Sequence, residues 1–90
     1  MTDTMYKLNV KPELAQTLDK LRKRNIKQYQ IIKNKAQEIL NNPHRYKNLR
    51  APMNHLRRVH IDKHFVLVYS VDEESKTVTL VDYDHHDNIY

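Results

Sequence analysis

The sequence predicts an α+β fold in which a helical hairpin packs on one face of an antiparallel sheet. One strand-like segment precedes two amphipathic helical segments, and three further strand-like segments follow them. The connections between the last three segments are short enough to be hairpin turns. The expected order of elements is therefore β-α-α-β-β-β. Ninety residues, of which 39% are hydrophobic, suit a single domain spanning residues 1–90.

The first strand and the first helix lie in the N-terminal quarter of the chain. Residues 5–10 alternate between polar and apolar side chains, the pattern of a half-buried strand. Pro12 suits the first turn of a helix over 12–24, because no backbone N–H is needed there. The basic run at 22–24 complements the helix dipole, and we interpret it as solvated. The buried stripe of this helix is predicted to be Leu14, Leu18 and Leu21.

A second helix is predicted over 27–41. Asn25 can break or cap the chain before it, and the Asn-Asn-Pro sequence at 41–43 ends it, because the residue before a proline disfavours helical geometry. The apolar stripe of this helix is predicted to be Tyr29, Ile32, Ala36, Ile39 and Leu40.

The C-terminal half is predicted to be β-structure. Residues 44–55 are irregular, polar and basic, and hairpin turns are expected at 62–64 and 72–76. The strand-like runs are 56–61, 65–71 and 77–83. Residues 65–69 are apolar on both faces, so we expect them to form the central strand.

Charge is unevenly distributed along the chain, which carries +5 overall. Residues 1–71 hold 15 of the 16 Lys and Arg but only 5 of the 11 Asp and Glu, a net charge of +10. Residues 72–90 have a net charge of −5. A basic body favours a polyanion or an acidic protein as partner, although a solvated surface accounts for it equally well.

Composition also excludes several classes of protein. No segment approaches the roughly 18 apolar residues of a membrane helix, so no membrane partner is expected. The N-terminus lacks the basic and apolar regions of a secretory signal, which makes the cytoplasm the expected location. Cysteine is absent, which excludes disulfides, thiolate metal ligands and a cysteine nucleophile.

Strand phase places two candidate site residues together. On the strand 56–61, Arg58 and His60 share one face, whereas Val59 and Ile61 share the other with Arg57. If the apolar pair faces the helices, Arg58 and His60 line the opposite face of the sheet.

Four of the six histidines fall between His60 and His86. His64 lies across the first turn and His86 follows the last strand, so a three-stranded meander can bring them towards His60. Such a set suits cleavage of RNA by its own 2′-hydroxyl, because histidine can act as base or acid and arginine can stabilise charge on phosphorus. The reaction needs no metal or other cofactor, and it selects RNA because DNA lacks the 2′-hydroxyl.

Two other interpretations of the histidines stay open at this level. Each can be an ordinary polar surface residue, and histidine is a common zinc ligand. The His60/His64 spacing falls on a predicted hairpin rather than on a helix, and no cysteine assists. We therefore expect no metal site.

The segment RRVHIDKHFVLVY at 57–69, followed by HDNIY at 86–90, resembles the RelE/ParE superfamily of type II toxins. It is most similar to the YafQ-like branch of RelE toxins, and element order, length and charge extend the resemblance over essentially the whole chain. Members of that family cut mRNA in the ribosomal A site and are neutralised by an antitoxin. The resemblance therefore implies a ribosome-dependent mRNA endoribonuclease. Its implied partners are mRNA, the ribosome with its 16S rRNA, and a cognate antitoxin protein.

The resemblance also implies roles for individual residues. His60 and His86 match family histidines and are expected to form the proton-transfer pair. His64 would orient RNA or share proton transfer, Arg58 would stabilise the phosphate, and Tyr90 would stack on a base. The residues expected to contact RNA around them are Lys47, Arg50, His55, Arg57, Lys63 and, as a second stacking surface, Phe65.

Two departures from the family pattern affect this site. His64 and Phe65 stand where the YafQ-like pattern has an Asp-Trp pair, which changes the charge of the site. The family's further histidine, in the loop before the second strand, has no clean match, since 50–53 reads Arg-Ala-Pro-Met. Arg50 or His55 would have to substitute for it.

Two rival functions fit the same fold. A ParE-like toxin inhibits DNA gyrase without cutting RNA and has no need of clustered histidines. A catalytically inactive module would retain only contact with an antitoxin or the ribosome. The number of histidines favours the nuclease over the gyrase inhibitor.

Overall fold

A computed structural model describes residues 6–89 and confirms the predicted α+β class. Its elements are β1 (Lys7–Val10), α1 (Pro12–Arg24), α2 (Ile26–Asn41), β2 (Leu56–Ile61), β3 (Phe65–Asp72) and β4 (Thr77–His85). A 3₁₀ turn at His86–Asn88, here called the C-terminal turn, follows β4. The predicted helices and β2 agree with the structure to within one residue, whereas β4 continues two residues beyond the predicted end. Met5, the predicted start of the first strand, lies outside the described residues.

The sheet has the strand order β1-β4-β3-β2 and is mixed. β2, β3 and β4 form the predicted antiparallel meander, with β3 in the interior as expected. β1 runs parallel to β4, so the expectation of a wholly antiparallel sheet is corrected at this strand. The physical reason is the crossover: the helical hairpin carries the chain across the sheet between β1 and the meander.

A single residue, Asn25, joins the two helices. Its backbone N–H donates to the carbonyl of Leu21 at the end of α1, and its side chain accepts from the N–H of Gln28 in α2 at 3.1 Å. One asparagine thus ends one helix and caps the next, as its residue type allowed. Neither of these two helices combines the length and the apolar character needed to cross a membrane.

The main core lies between the helical hairpin and one face of the sheet, here called the helix face. Both predicted helical stripes contribute to it, and Gln28, a buried polar side chain, donates to the Tyr83 hydroxyl of β4 at 2.9 Å. Each largely buried side chain contributes roughly 1.5–3 kcal/mol of hydrophobic stabilisation. The buried members are Leu14, Leu18, Ile32, Ala36, Ile39, Val59, Ile61, Leu67, Tyr69, Val78 and Leu80.

A smaller apolar cluster covers the other face of the sheet, here called the open face. Val66 and Val68 of β3 pack there against Leu49 from the 42–55 loop and Ile89 from beyond the C-terminal turn. The side chains of β3 from Val66 to Tyr69 are therefore buried on both faces, which explains why this run is continuously apolar.

A β-bulge in β4 changes the faces that its residues occupy. Tyr69 pairs with Leu80 and Val68 pairs with Asp82, so Val81 is the extra residue. Before the bulge Val78 and Leu80 point to the helix face, whereas after it Tyr83 does.

The carboxylate of Glu73 fastens β1 to the turn between β3 and β4. It accepts from the Tyr6 hydroxyl at 2.9 Å and from Lys76 Nζ at 2.7 Å, and it contacts His44. Hydrogen bonds from Lys76, Tyr6 and His44 lower the pKa of Glu73 to about 2. The carboxylate therefore stays ionised, and keeps its donors, across the ordinary pH range.

Tyr69 makes a long-range hydrogen bond that ties β3 to the end of the helical hairpin. Its hydroxyl donates to the carbonyl of Pro43 at 2.8 Å, and its side chain is fully buried. We expect Tyr69→Phe to lower the free energy of unfolding by about 1–3 kcal/mol, because the buried carbonyl loses its donor. Urea unfolding followed by circular dichroism measures this. Tyr29→Phe is the matched control, expected within about 0.5 kcal/mol of wild type, and an equal loss in both variants would contradict the assignment.

The same tyrosine should make the fold sensitive to alkali. Burial raises the pKa of Tyr69 from 10.0 to about 12, so the folded state disfavours the phenolate. Its contribution is fully present below pH 10 and is lost as the pH rises through about 12. Unfolding free energies measured between these two pH values should fall more steeply for wild type than for Tyr69→Phe. Equal slopes would show that ionisation of Tyr69 is not coupled to folding.

Candidate functional site

The candidate site begins on the open face of β2. Val59 and Ile61 are buried against the helices, which confirms the predicted strand phase. Arg58 and His60 therefore lie on the open face, where they pair with Val68 and Val66 of β3. His60 is exposed and Arg58 is half-buried. A permanently charged guanidinium and an imidazole are thus neighbours on one solvent-accessible strand face.

A cavity of about 470 Å³ adjoins Arg58. Its wall is formed by one stretch of the 42–55 loop, by Arg58, and by Ile89 after the C-terminal turn. The lining residues are Asn48, Leu49, Arg50, Ala51, Met53, Arg58 and Ile89. A largely apolar lining that includes two arginines suits a flat, partly apolar ligand that carries negative charge.

A second group of functional side chains, here called the histidine cluster, lies at the end of the sheet. It consists of His64, His85 and His86. The ring centroids of His85 and His86 are 4.7 Å apart, and those of His64 lie 5.9 Å and 6.5 Å from them. The N–H of His86 donates to the carbonyl of His64 at 2.8 Å. This backbone bond holds the C-terminal turn against the β2–β3 turn.

Acidic side chains surround the histidine cluster. Asp87 Oδ1 lies 3.1 Å from His86 Nδ1, and Asp87 Oδ2 lies 3.4 Å from His85 Nδ1. Asp84 Oδ1 accepts from the N–H of His85 at 2.7 Å and from Asn88 Nδ2 at 3.1 Å. Asp84 thus orders the backbone of this segment, and Asp87 places a carboxylate beside both imidazoles.

The structure brings together His64 and His86 of the predicted catalytic set, but His60 stands apart from them. His60 pairs with Val66, and Val66 pairs with Asp84 on its other side, so His60 and the C-terminal turn flank β3. Two strand spacings, roughly 10 Å, separate the His60 and Asp84 backbones. The predicted pair of His60 and His86 therefore lies on either side of β3.

Two other predicted RNA contacts are engaged within the protein. Arg57 donates to the carbonyl of Tyr46 at 2.6 Å and to that of His44 at 3.3 Å, so it orders the loop. Phe65 is half-buried and stacks on Tyr83, with ring centroids 5.1 Å apart. Tyr90 lies outside the described residues. The remaining predicted contacts are exposed: Lys47, Arg50, His55 and Lys63.

His85 is the residue of this region that the sequence analysis did not assign to a site. The predicted last strand ended at Tyr83, whereas β4 continues to His85, which pairs with Phe65. The two adjacent histidines at 85–86 are the sequence feature that could have indicated a role for His85. Strict alternation would put neighbours on opposite faces, but the C-terminal turn begins at His86 and lets both rings approach His64.

Comparison with known proteins places the chain in a family. The model of the ParE toxin of type II toxin–antitoxin systems matches residues 8–90. The chain therefore belongs to this family, within the RelE/ParE superfamily of type II toxins that the sequence resembles.

Individual relatives agree with this assignment. The chain is 57% identical over 86 residues to “Putative toxin RelE4” of Methanocaldococcus jannaschii, covering 96% of this chain and 92% of the relative. A YoeB/ParE toxin from Agrobacterium tumefaciens shares the fold with a TM-score of 0.80 at 13% identity, over 89% of this chain and 98% of that one. The RelBE2 toxin–antitoxin complex of Mycobacterium tuberculosis contains a similar chain, with a TM-score of 0.72, 22% identity, and coverage of 91% and 99%. The protein is a RelE-like toxin of a type II toxin–antitoxin system.

Substitution of the two neighbouring arginines should affect different properties. Arg57→Ala removes charge-assisted hydrogen bonds to two loop carbonyls, so we expect a loss of about 1.5–3 kcal/mol in unfolding free energy. Arg58→Ala, at the cavity wall, should weaken binding of an RNA oligonucleotide. Thermal unfolding measures the first effect and fluorescence anisotropy measures the second. Wild-type stability in Arg57→Ala, or wild-type RNA affinity in Arg58→Ala, would contradict these assignments.

Proposed function

We propose that this toxin is an mRNA endoribonuclease that acts in the ribosomal A site. The observation that carries the proposal is the position of Arg58, which lines the cavity and shares a strand face with the exposed His60. A phosphodiester bound beside Arg58 has an imidazole within the same strand face. The similarity to “Putative toxin RelE4” supports a RelE-like toxin, and the resemblance to RelE toxins implies RNA as the target.

Cleavage proceeds by attack of the 2′-oxygen on the adjacent phosphorus. One imidazole of the His60 and His86 pair accepts the 2′ proton, and a P–O bond to the 2′-oxygen forms. The bond to the 5′-oxygen breaks, and the other imidazole donates a proton to that leaving oxygen. Arg58 stabilises the negative charge that develops on the phosphate, and no metal takes part in these steps.

The side chains around the cavity bind the rest of the RNA. The cavity accommodates a base against Leu49 and Ile89. Tyr90 supplies a stacking surface, and His64 orients the strand. Phe65, at the end of the sheet where it stacks on Tyr83, supplies a second stacking surface away from the cavity. The exposed side chains of Lys47, Arg50 and Lys63 attract the phosphates, and His55 offers a further polar contact. Arg57 contributes through the loop that it orders.

We propose that the ribosome holds the RNA in the geometry needed for cleavage. Little protein surface is available to hold RNA with the 2′-oxygen in line with the leaving oxygen, and such positioning accounts for much of the rate in reactions of this kind. We therefore propose that mRNA is cut when the ribosome, through its 16S rRNA and A site, presents it. A cognate antitoxin is the other proposed partner, as in the RelBE2 complex.

A gyrase-inhibiting function is the second candidate. It draws on one observation, that the matching family model describes a ParE toxin. Inhibition of gyrase would leave mRNA intact and would not need Arg58 and His60 on one face.

The test is cleavage of mRNA on stalled ribosomes, mapped by primer extension. We expect wild type to cut in the A-site codon, and His60→Ala and His86→Ala to lose about 10²–10⁴-fold in rate, the usual contribution of a general acid or base. Lys33→Ala, an exposed cation on α2, is the matched control and should retain the wild-type rate. Intact mRNA with wild-type toxin, accompanied by inhibition of DNA supercoiling, would favour the gyrase function.

A further inference from the structure

We infer that the histidine cluster binds a divalent transition-metal ion and that the bound ion inhibits the toxin. The site consists of His64, His85 and His86, and it replaces the sequence-based expectation of no metal site. Metal binding is inferred from the geometry of the histidine cluster and does not depend on the proposed function. The inhibitory part rests on the proposed function, because His64 and His86 also belong to the proposed RNA site.

The three imidazoles can converge on one ion. One ring nitrogen from each histidine lies within 4.8 Å of the others. A tetrahedral ion with metal–nitrogen bonds of 2.0–2.1 Å holds its ligands about 3.3 Å apart, so the rings need to approach by up to about 1.5 Å. His64 is exposed in a turn, and His85 and His86 are only half-buried. Rotation of these side chains supplies the movement without disturbing the core.

The backbone already holds the ligands in place. β3 and β4 pair Phe65 with His85, and the N–H of His86 donates to the carbonyl of His64. The two chain segments that carry the ligands are thus hydrogen-bonded to each other. Binding therefore orders side chains only, which keeps its entropic cost small.

Metal-bound histidines usually donate a hydrogen bond from their other ring nitrogen, and Asp87 supplies a carboxylate that can accept it. Its two carboxylate oxygens lie 3.1 Å from His86 Nδ1 and 3.4 Å from His85 Nδ1. When Nδ1 of such a histidine donates to this carboxylate, Nε2 is the ring nitrogen that binds the ion. Without metal, His85 Nδ1 instead accepts from the N–H of Asp87 at 3.2 Å, so binding exchanges one partner for the other.

The charge around the cluster suits a cation. Asp84 and Asp87 place two carboxylates in the same segment as His85 and His86. Lys63, next to His64, carries a charge that opposes binding, and it is exposed to solvent. Imidazole ligands favour zinc, copper or nickel over magnesium and calcium, which prefer oxygen. A water molecule would complete a four-coordinate site.

Occupation of this site removes groups from RNA cleavage. A lone pair bound to metal cannot accept a proton, and an imidazole held on an ion cannot follow the leaving oxygen. The ion therefore takes His86 out of the proposed proton-transfer pair and fixes His64 away from the RNA. The toxin would be active when free of metal and inhibited when loaded.

Binding is tested by calorimetric titration of zinc chloride into untagged protein that has been stripped with EDTA. We expect one ion per chain, with affinity at least tenfold lower in His64→Ala, His85→Ala and His86→Ala. Asp87→Asn should also weaken binding, by about 10-fold to 100-fold. His55→Ala, an exposed histidine outside the cluster, is the matched control and should retain the wild-type affinity. Should His85→Ala fail to fold, His64→Gln in the exposed turn tests the same site.

Inhibition is tested in the ribosomal cleavage assay, with EDTA or with zinc. The cleavage rate of each protein in zinc is divided by its own rate in EDTA. Zinc should lower the rate of wild type at least tenfold and that of His85→Ala far less. Absence of zinc binding, or binding unaffected by all three substitutions, overturns the site. Cleavage that requires zinc overturns its inhibitory role and the metal-free mechanism together. Zinc binding by a protein that never cuts RNA supports the site and refutes the proposed function.

Discussion

Burial of β3 on both faces is the constraint on which the rest of the structure depends. Val66 and Val68 must be covered on the open face, while Leu67 and Tyr69 are covered by the helices. The helical hairpin satisfies one requirement. The other is met by irregular chain, Leu49 before β2 and Ile89 after β4, because residues 6–89 contain no second helical layer. The residues that close this smaller core also form the wall of the cavity, so stability and the candidate site share the same contacts.

The two neighbouring arginines of β2 lie in different environments. Alternation along β2 turns Arg57 towards the loop that carries Tyr46 and leaves Arg58 beside the cavity. Arg57 orders the loop by donating hydrogen bonds to its carbonyl groups, whereas Arg58 lines the cavity that a ligand would enter. A ligand site built in this way relies on a charged side chain to order its irregular wall, because residues 42–55 form no helix or strand of their own.

The fold class could be predicted from the sequence because helical stripes, apolar runs and turn residues are local signals. The same reasoning placed Arg58 and His60 correctly on one face, since β2 alternates without interruption. It could not place the residues after Val81, because the bulge there reverses which positions face the helices. The bulge at Val81 contains no glycine, so the local sequence does not predict it. The convergence of His64, His85 and His86 depends on that shift together with the C-terminal turn.

The parallel pairing of β1 with β4 has a consequence for the order of folding. Lys7 pairs with Thr77, 70 positions later, whereas the two helices and the meander are each built from near neighbours in sequence. Closing a loop of this length costs about 4 kcal/mol of chain entropy, which a four-residue strand with exposed side chains offsets only when β4 is already in place. β1 should therefore dock last and fray first, and its amide hydrogens should exchange with solvent before those of the meander.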